Sequence, residues 1–229
     1  YTGLDLSKNI VKAFGFNETN DGAVAVAKAS VPTSISGAKF KYVNGQSTKA
    51  LSLDGTYGLK LLDDASKLGE SYTISFAMKA SEAGSVVNPT ITAGTFSPEY
   101  WLNLTLDGKI WSHDANGYID TTASGAYTAG KWQTVTLVVD GSKQGKTEGT
   151  VSGKLYVDGT VVTEGSVASD IMKKSGAAVY FGVNAWDAYF KGELDDVLLF
   201  NKALGESEIA AINSKVITAD TFNKQTAVS

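Results

Sequence analysis

YFKGELDDVLLFNKALGESEI, residues 189–209, reads as two elements set back to back. Glu193 to Phe200 has the apolar density of a buried strand, entered through Gly192 and two acidic residues, Asp195 and Asp196. Behind it, Gly205 can act as an N-cap, with Glu208 at the third helical position as in a capping box. Ile209 and Ile212 then share one helical face. Residues 205–215 are predicted to form a short helix that packs back on the sheet.

Working outward, strand signals recur along the chain. They are KALSLDG (residues 49–55), SYTISFAMKA (71–80), YWLNLTLDG (100–108), KWQTVTLVVDG (131–141), GKLYVDGTVV (153–162) and AVYFGV (178–183). Each alternates or runs apolar, and three of the six end in Asp-Gly. Asp158-Gly159 supplies the positive backbone angles that a two-residue hairpin requires. Turn signals at this spacing predict an all-β, antiparallel β-sandwich with one short C-terminal helix. There is no internal repeat and no second compositional zone, so residues 1–217 are expected to form one domain. Residues 218–229, TADTFNKQTAVS in context, turn polar and are expected to be a tail or linker.

Composition narrows the function classes. The 229 residues include 24 glycines and 3 prolines, with a formal charge of −4. The lysines are scattered and there is no arginine, which argues against a phosphate-rich nucleic-acid partner. The absence of cysteine excludes disulfides and thiolate metal sites. No apolar run approaches the roughly 20 residues needed to cross a bilayer, so no membrane insertion is expected. The chain begins at Tyr1 without a methionine or a signal-like segment, as expected of a domain taken from a longer polypeptide.

In order, KALSLDG, YTISFAMKA, GKWQTVTLVVDG, GKLYVDGTVV and YFKGELDDVLLFNKALGESEI resemble the laminin-G-like jelly-roll domains of the concanavalin A-like lectin and glucanase superfamily. The resemblance runs from about Phe14 to Ile212. It departs from the family in four segments expected to be variable loops: 82–100, 113–130, 142–152 and 184–189. Loops on a rigid scaffold carry function, so the fold transfers better than the ligand.

The resemblance implies either a glycan-binding module or a glycosidase. The superfamily's retaining glucanases place their carboxylates in a Glu-x-Asp-x-Glu pattern, which a strand's two-residue repeat sets on one face. The outer pair, about 13 Å apart along the backbone, must converge to the ~5.5 Å that retention requires. Here Glu193-Leu194-Asp195-Asp196-Val197 lacks the third carboxylate, and Asp196 is expected to point to the opposite face. The one histidine, His113, has no Gly-x-Ser-x-Gly elbow upstream. No catalytic residue is assigned.

A sugar offers flat patches of C–H groups and rims of hydroxyls, which proteins meet with exposed aromatic faces and with Asn, Asp or His. Trp132 is expected in the core at the start of its strand. Trp101 and Asn103 fall on the face opposite Leu102 and Leu104, open to a sugar or packed under a loop. Trp111 depends on the turn at Asp107-Gly108: a two-residue turn buries it, whereas a bulged turn buries Ile110 and sends Trp111 and His113 outward. Trp186, among Asn184, Asp187 and Tyr189, either caps the sandwich edge or stacks on a ligand. The predicted ligand-binding set is therefore Trp101, Asn103, Trp111, His113, Asn184, Trp186, Asp187 and Tyr189.

NETNDG, residues 17–22, begins like a calcium loop, but Lys28 stands where a bidentate glutamate belongs. Relatives implied by the resemblance carry a structural calcium between an early loop and the closing strand. Asn17, Asp21 and Asp195 are the corresponding candidates here, with an ordinary polar turn as the alternative. The expected protein is an extracellular or cell-surface module. It would bind a polysaccharide or glycan, lack catalysis, and work beside other domains of the same polypeptide.

Overall fold

The computed structural model of the protein describes residues 6–81, 90–92, 100–104, 109–115, 117–121, 127–169, 171–173 and 176–228. Its strands, numbered in chain order, form two antiparallel sheets. Edge to edge, the first contains β14 (Thr160–Ala168), β13 (Thr150–Val157), β12 (Gln133–Gln144), β7 (Tyr72–Ala80), β16 (Lys191–Phe200), β5 (Lys49–Asp54) and β4 (Lys41–Asn44), with β1 (Ile10–Phe14) also paired to β16. The second contains β11 (Gly117–Thr121), β10 (Ile110–Asp114), β9 (Trp101–Leu104), β8 (Thr90–Thr92), β15 (Ala178–Phe181), β6 (Gly58–Leu62), β2 (Val24–Ala27) and β3 (Thr33–Ser34). This is the predicted jelly-roll sandwich.

Two-residue periodicity explains the core. Along β7, Tyr72, Ile74, Phe76, Met78 and Ala80 all enter the central apolar cluster, where they meet Leu59, Leu102, Ile110, Val179 and Phe181 of the second sheet. Phe181 is the hinge of the contact. Its ring meets Phe76 edge-on at 5.2 Å and Phe190 at 5.1 Å. The Asp158-Gly159 turn joins β13 to β14 with φ of 50° and 82°, as its sequence requires.

The other face of the first sheet is covered by helix α1 (Glu206–Asn213). Ile209, Ile212 and Leu204 pack with Val138, Tyr156, Leu198 and Phe200 there. Burial of this face is why Thr73 needs internal partners. Its hydroxyl donates to the Lys202 carbonyl at 2.8 Å and accepts from the Leu204 amide at 3.0 Å. Glu208 accepts from the Gly205 amide at 2.9 Å. Glycine has no side chain to return a bond, so only half of the predicted capping box exists.

Several expectations are corrected. The segment expected as a polar tail forms α2 (Ala219–Val228), with Ala219 buried and Phe222 packed against the same cluster. Segments 113–130 and 142–152 are not simply loops, because β11 and the ends of β12 and β13 fall within them. Trp132 is half-buried just before β12 and belongs to none of the apolar clusters. Asp196 does not turn to the inner face. Its φ of 51° lies in a register shift of the β16–β7 pairing, and this bulge adds a residue between inward Leu194 and Val197. Asp196 instead accepts from the Ala219 amide at 2.6 Å and lies 3.5 Å from the Lys215 ammonium.

Candidate functional site: an aromatic patch on the outer face of the second sheet

The site follows from strand register. On β9, Leu102 and Leu104 point into the core, so Trp101 and Asn103 lie on the outer face. On β10, Ile110 pairs with Leu104, Trp111 with Asn103 and His113 with Trp101. Ile110 is therefore inward, and Trp111 and His113 are outward, the arrangement expected for the wider connection. Thr105 to Gly108, where the turn itself lies, are outside the described residues. On β11, Tyr118 pairs with His113. Three adjacent strands thus present Tyr118, His113 and Trp101 in one row.

The loop between β15 and β16 completes the patch by laying Trp186 over Trp101. The two indoles are 5.3 Å apart between ring centroids. His113 stacks on Trp101 at 5.8 Å with an interplanar angle of 16°. Tyr118 meets Trp101 edge-on at 5.8 Å and His113 at 4.7 Å. Exposure divides the labour. Trp101 is 6% exposed and forms the floor, whereas Trp186 at 47% and Tyr118 at 72% present their rings to solvent. Large aromatics left this open on an otherwise well-buried sandwich mark a contact surface.

The polar residues predicted for the ligand mostly build the loop. The Asn184 oxygen accepts from the Trp186 and Asp187 amides, both at 2.8 Å, and its Nδ2 donates to Asp187 Oδ2 at 2.8 Å. Asn184 is buried. The Tyr189 hydroxyl accepts from the Lys28 amide at 2.6 Å. The Lys28 ammonium donates to the Asp187 carbonyl at 2.7 Å and the Trp186 carbonyl at 3.5 Å. Lys28 comes from the end of β2, and nothing in its sequence neighbourhood connects it to residue 187.

Trp111 stands apart from the four-ring cluster, with the Lys109 ammonium 3.7 Å from its ring centroid, a close cation–π contact. Beside it Asn103 is buried, only 4% exposed, and its Oδ1 accepts no hydrogen bond. Such an acceptor is costly unless a donor is supplied. Tyr118 is absent from the sequence-derived set because residues 113–130 read as a variable loop. The signal in the sequence is the Asn-Gly pair at 116–117, a dipeptide that favours a hairpin turn and so a returning strand through Tyr118.

Of the candidate calcium residues, Asn17 and Asp21 lie between β1 and β2, and Asp195 lies on β16, the strand paired with β1. Asn17 Oδ1 accepts from the Lys49 amide at 3.2 Å, and Asp21 Oδ2 from the Gly15 and Phe16 amides at 2.7 and 3.0 Å. Asp195 accepts from the Asp196 amide at 2.7 Å, with the Thr48 hydroxyl 3.5 Å away. Burial, with Asp196 and Asp220 adding like charge, pushes the Asp195 carboxyl up to about 7. Asp220, on α2, was not foreseen. A Cβ at Gly15 would collide with its carboxylate and lie 3.8 Å from Asp21 Oδ2. Among the described residues no set of three or more His, Asp or Glu is gathered tightly enough to hold a metal ion. An ion here would have to draw Asp21, Asp195 and Asp220 together.

A two-sheet jelly roll with helices on one outer face and aromatic rings on the other is a sandwich of the lectin type. The chain belongs to the concanavalin A-like lectin/glucanases superfamily, whose laminin G family model matches residues 53–210. No curated protein matches it by sequence. Among solved structures it is similar to domain 4 of AbnA, a GH43 extracellular arabinanase from Geobacillus stearothermophilus, determined in complex with arabinotriose. That match has a TM-score of 0.68 and 22% identity, and covers 88% of this chain and 96% of the other. It is also similar to the binding domain of Paraclostridial Mosquitocidal Protein 1, with a TM-score of 0.57, 16% identity, and 93% and 53% of the two chains covered. A third similar structure is botulinum neurotoxin type C, described as entering cells through two ganglioside molecules. Its TM-score is 0.60, with 12% identity and 93% and 52% covered. This chain spans about half the length of those two toxin chains. At these identities the likeness concerns the fold.

Proposed function

We propose that the domain is a non-catalytic carbohydrate-binding module of a larger secreted protein, holding a polysaccharide or glycan on the outer face of the second sheet. The observation that carries this is the cluster of Trp101, His113, Tyr118 and Trp186. A sugar ring would stack on the exposed face of Trp186 or Tyr118. Its hydroxyls would meet the indole N–H, the phenol and the imidazole. Similar domains solved with arabinotriose or tied to gangliosides support a glycan as the ligand class. Among the described residues no helix is long and apolar enough to cross a membrane.

Against catalysis, Glu193 and Asp195 sit on β16, in the sheet opposite the aromatic face. The residues paired with Glu193 are Ser52 and Lys79, which give no second carboxylate across the strand. A glycan array followed by calorimetry on the hits tests the proposal, and an absence of any saturable glycan binding would overturn it. A structural calcium at Asn17, Asp21 and Asp195, with Asp220 beside them, is proposed only as a site assembled on binding, since among the described residues these carboxylates are not gathered tightly enough to hold an ion as they stand.

A further inference from the structure

We propose that a recess lined by Lys12, Lys60 and Lys67 binds a compact oxyanion, the shared chemistry of a sulfate ester and of a sugar-acid carboxylate. The recess has a volume of about 90 Å³, and Val24, Leu61 and Leu62 supply its apolar walls. That is room for about three water molecules, the scale of one anionic group and not of a sugar ring.

Three separate elements deliver the ammonium groups. Lys12 comes from the middle of β1. Lys60 comes from β6, between inward Leu59 and Leu61. Lys67 comes from the short 3-10 turn Ala65–Leu68, anchored by buried Ala65 and Leu68. In a chain of net charge −4 with no arginine, three lysines lining one recess need a reason, since like charges repel.

One carboxylate, Asp63, also lines the recess and offsets one of the three lysines. Asp63 pairs with Lys60 at 2.8 Å from a largely exposed position. Asp64 Oδ1 is committed to the amide and hydroxyl of Ser66 at 3.1 and 2.6 Å. Asp21 turns its Oδ2 to Gly15 and Phe16. Among the described residues, Lys12 and Lys67 reach no carboxylate within ion-pair distance. The Lys12 ammonium instead stands 5.4 Å over the Phe14 ring, and it would lie 2.8 Å from a Cβ at Gly22, so a glycine there leaves it room. The Lys60 hydrogen bond, joined by the charges of Lys60, Lys12 and Lys67, holds the Asp63 carboxyl below the usual carboxylate range.

Lysines act here as point charges on flexible stems, so the site favours any compact oxyanion over a shaped one, with affinity that weakens as salt rises. The recess is separate from the aromatic patch. Lys60 lies on β6, three strands from Trp101 on β9, or about 14 Å at the usual strand spacing.

The test is an amide NMR titration of the intact chain with sodium sulfate, against sodium chloride at matched ionic strength. Sulfate is expected to give saturable shifts at Gly22, Lys60, Leu62 and Asp63. Retention on dextran sulfate, polygalacturonate and neutral dextran then identifies the source of the anion. Retention by the sulfated polymer alone assigns a sulfate ester, by the uronate polymer alone a carboxylate, and by both a general oxyanion site. The double variant Lys12→Met, Lys67→Met keeps both stems and should weaken retention about three- to tenfold, the size of two exposed ion pairs. Lys143→Met should not. If the double variant loses its fold by circular dichroism, Lys67→Met alone replaces it and should still weaken retention. Shifts that follow ionic strength alone, or retention unchanged by the lysine variants, would overturn the proposal.

Discussion

The Lys28 ammonium donates to the Asp187 carbonyl at 2.7 Å, a contact between residues 159 positions apart that ties the end of β2 to the loop carrying Trp186. A cation on two loop carbonyls restrains the backbone more strongly than a neutral donor would. Lys28→Met keeps the aliphatic stem and removes only that restraint. We expect a melting temperature within a few degrees of the parent, since exposed hydrogen bonds contribute on the order of 1 kcal/mol. Tryptophan emission should shift to the red, and glycan affinity should fall several-fold. Unchanged emission and affinity would mean that Asn184 alone fixes the loop.

Trp186→Ala should cost about 1–3 kcal/mol in glycan binding, the size of a lost hot-spot aromatic contact. The ring is half exposed, so its loss should cost less stability than the several kcal/mol of a large-to-small core change. Calorimetry gives the first quantity and chemical denaturation the second. Glycan-induced fluorescence quenching should vanish in Trp186→Ala and persist in Trp132→Phe. The reverse would move the binding surface off this face.

Tyr118→Ala separates a shelf from a single stacking ring. Tyr118 is the most exposed of the cluster, so folding should be nearly unaffected. Binding of longer oligosaccharides should weaken by about 1–2 kcal/mol. Titration with a ladder of chain lengths checks this, and identical losses at every length would indicate one sugar subsite instead of two.

For Asp195, the folded carboxyl, raised to about 7, lies above its unfolded value of about 3.9. The folded state therefore binds the proton more tightly between those values. In chelator, stability should be highest near pH 4, fall as pH rises to about 7, and stay low beyond. Calcium should raise the melting temperature at pH 8 more than at pH 5, because it replaces the proton. Asp195→Asn should flatten both responses. Scanning calorimetry with and without calcium is the measurement, and a calcium response that survives Asp195→Asn would place the ion elsewhere.

Glu193→Gln should leave folding and glycan affinity essentially unchanged, and neither protein should hydrolyse polysaccharide. A reducing-end assay on the array hits checks this. Turnover by the parent chain that disappears with the substitution would make β16 a catalytic strand.

What the sequence determined by itself is what a local period can encode. Alternation in 71–80 placed Ile74, Phe76 and Met78 in the core. Asp158-Gly159 fixed a hairpin because only certain residues accept its backbone angles. The run 193–200 with Gly205 to Ile212 behind it gave the closing strand and helix, and register arithmetic from Leu102 and Leu104 put Trp101 and Asn103 on the outer face. Tertiary structure decided which of these residues meet. Tyr118 joins the aromatic cluster through a hairpin, Lys28 reaches Asp187 across the sheet, and the Asp196 bulge turns a carboxylate away from the core. Asp220 reaches Gly15 because the tail folds as a helix. Each of these depends on contacts between residues distant in the chain, where partner and distance are set by how the sheets stack and not by any neighbouring residue.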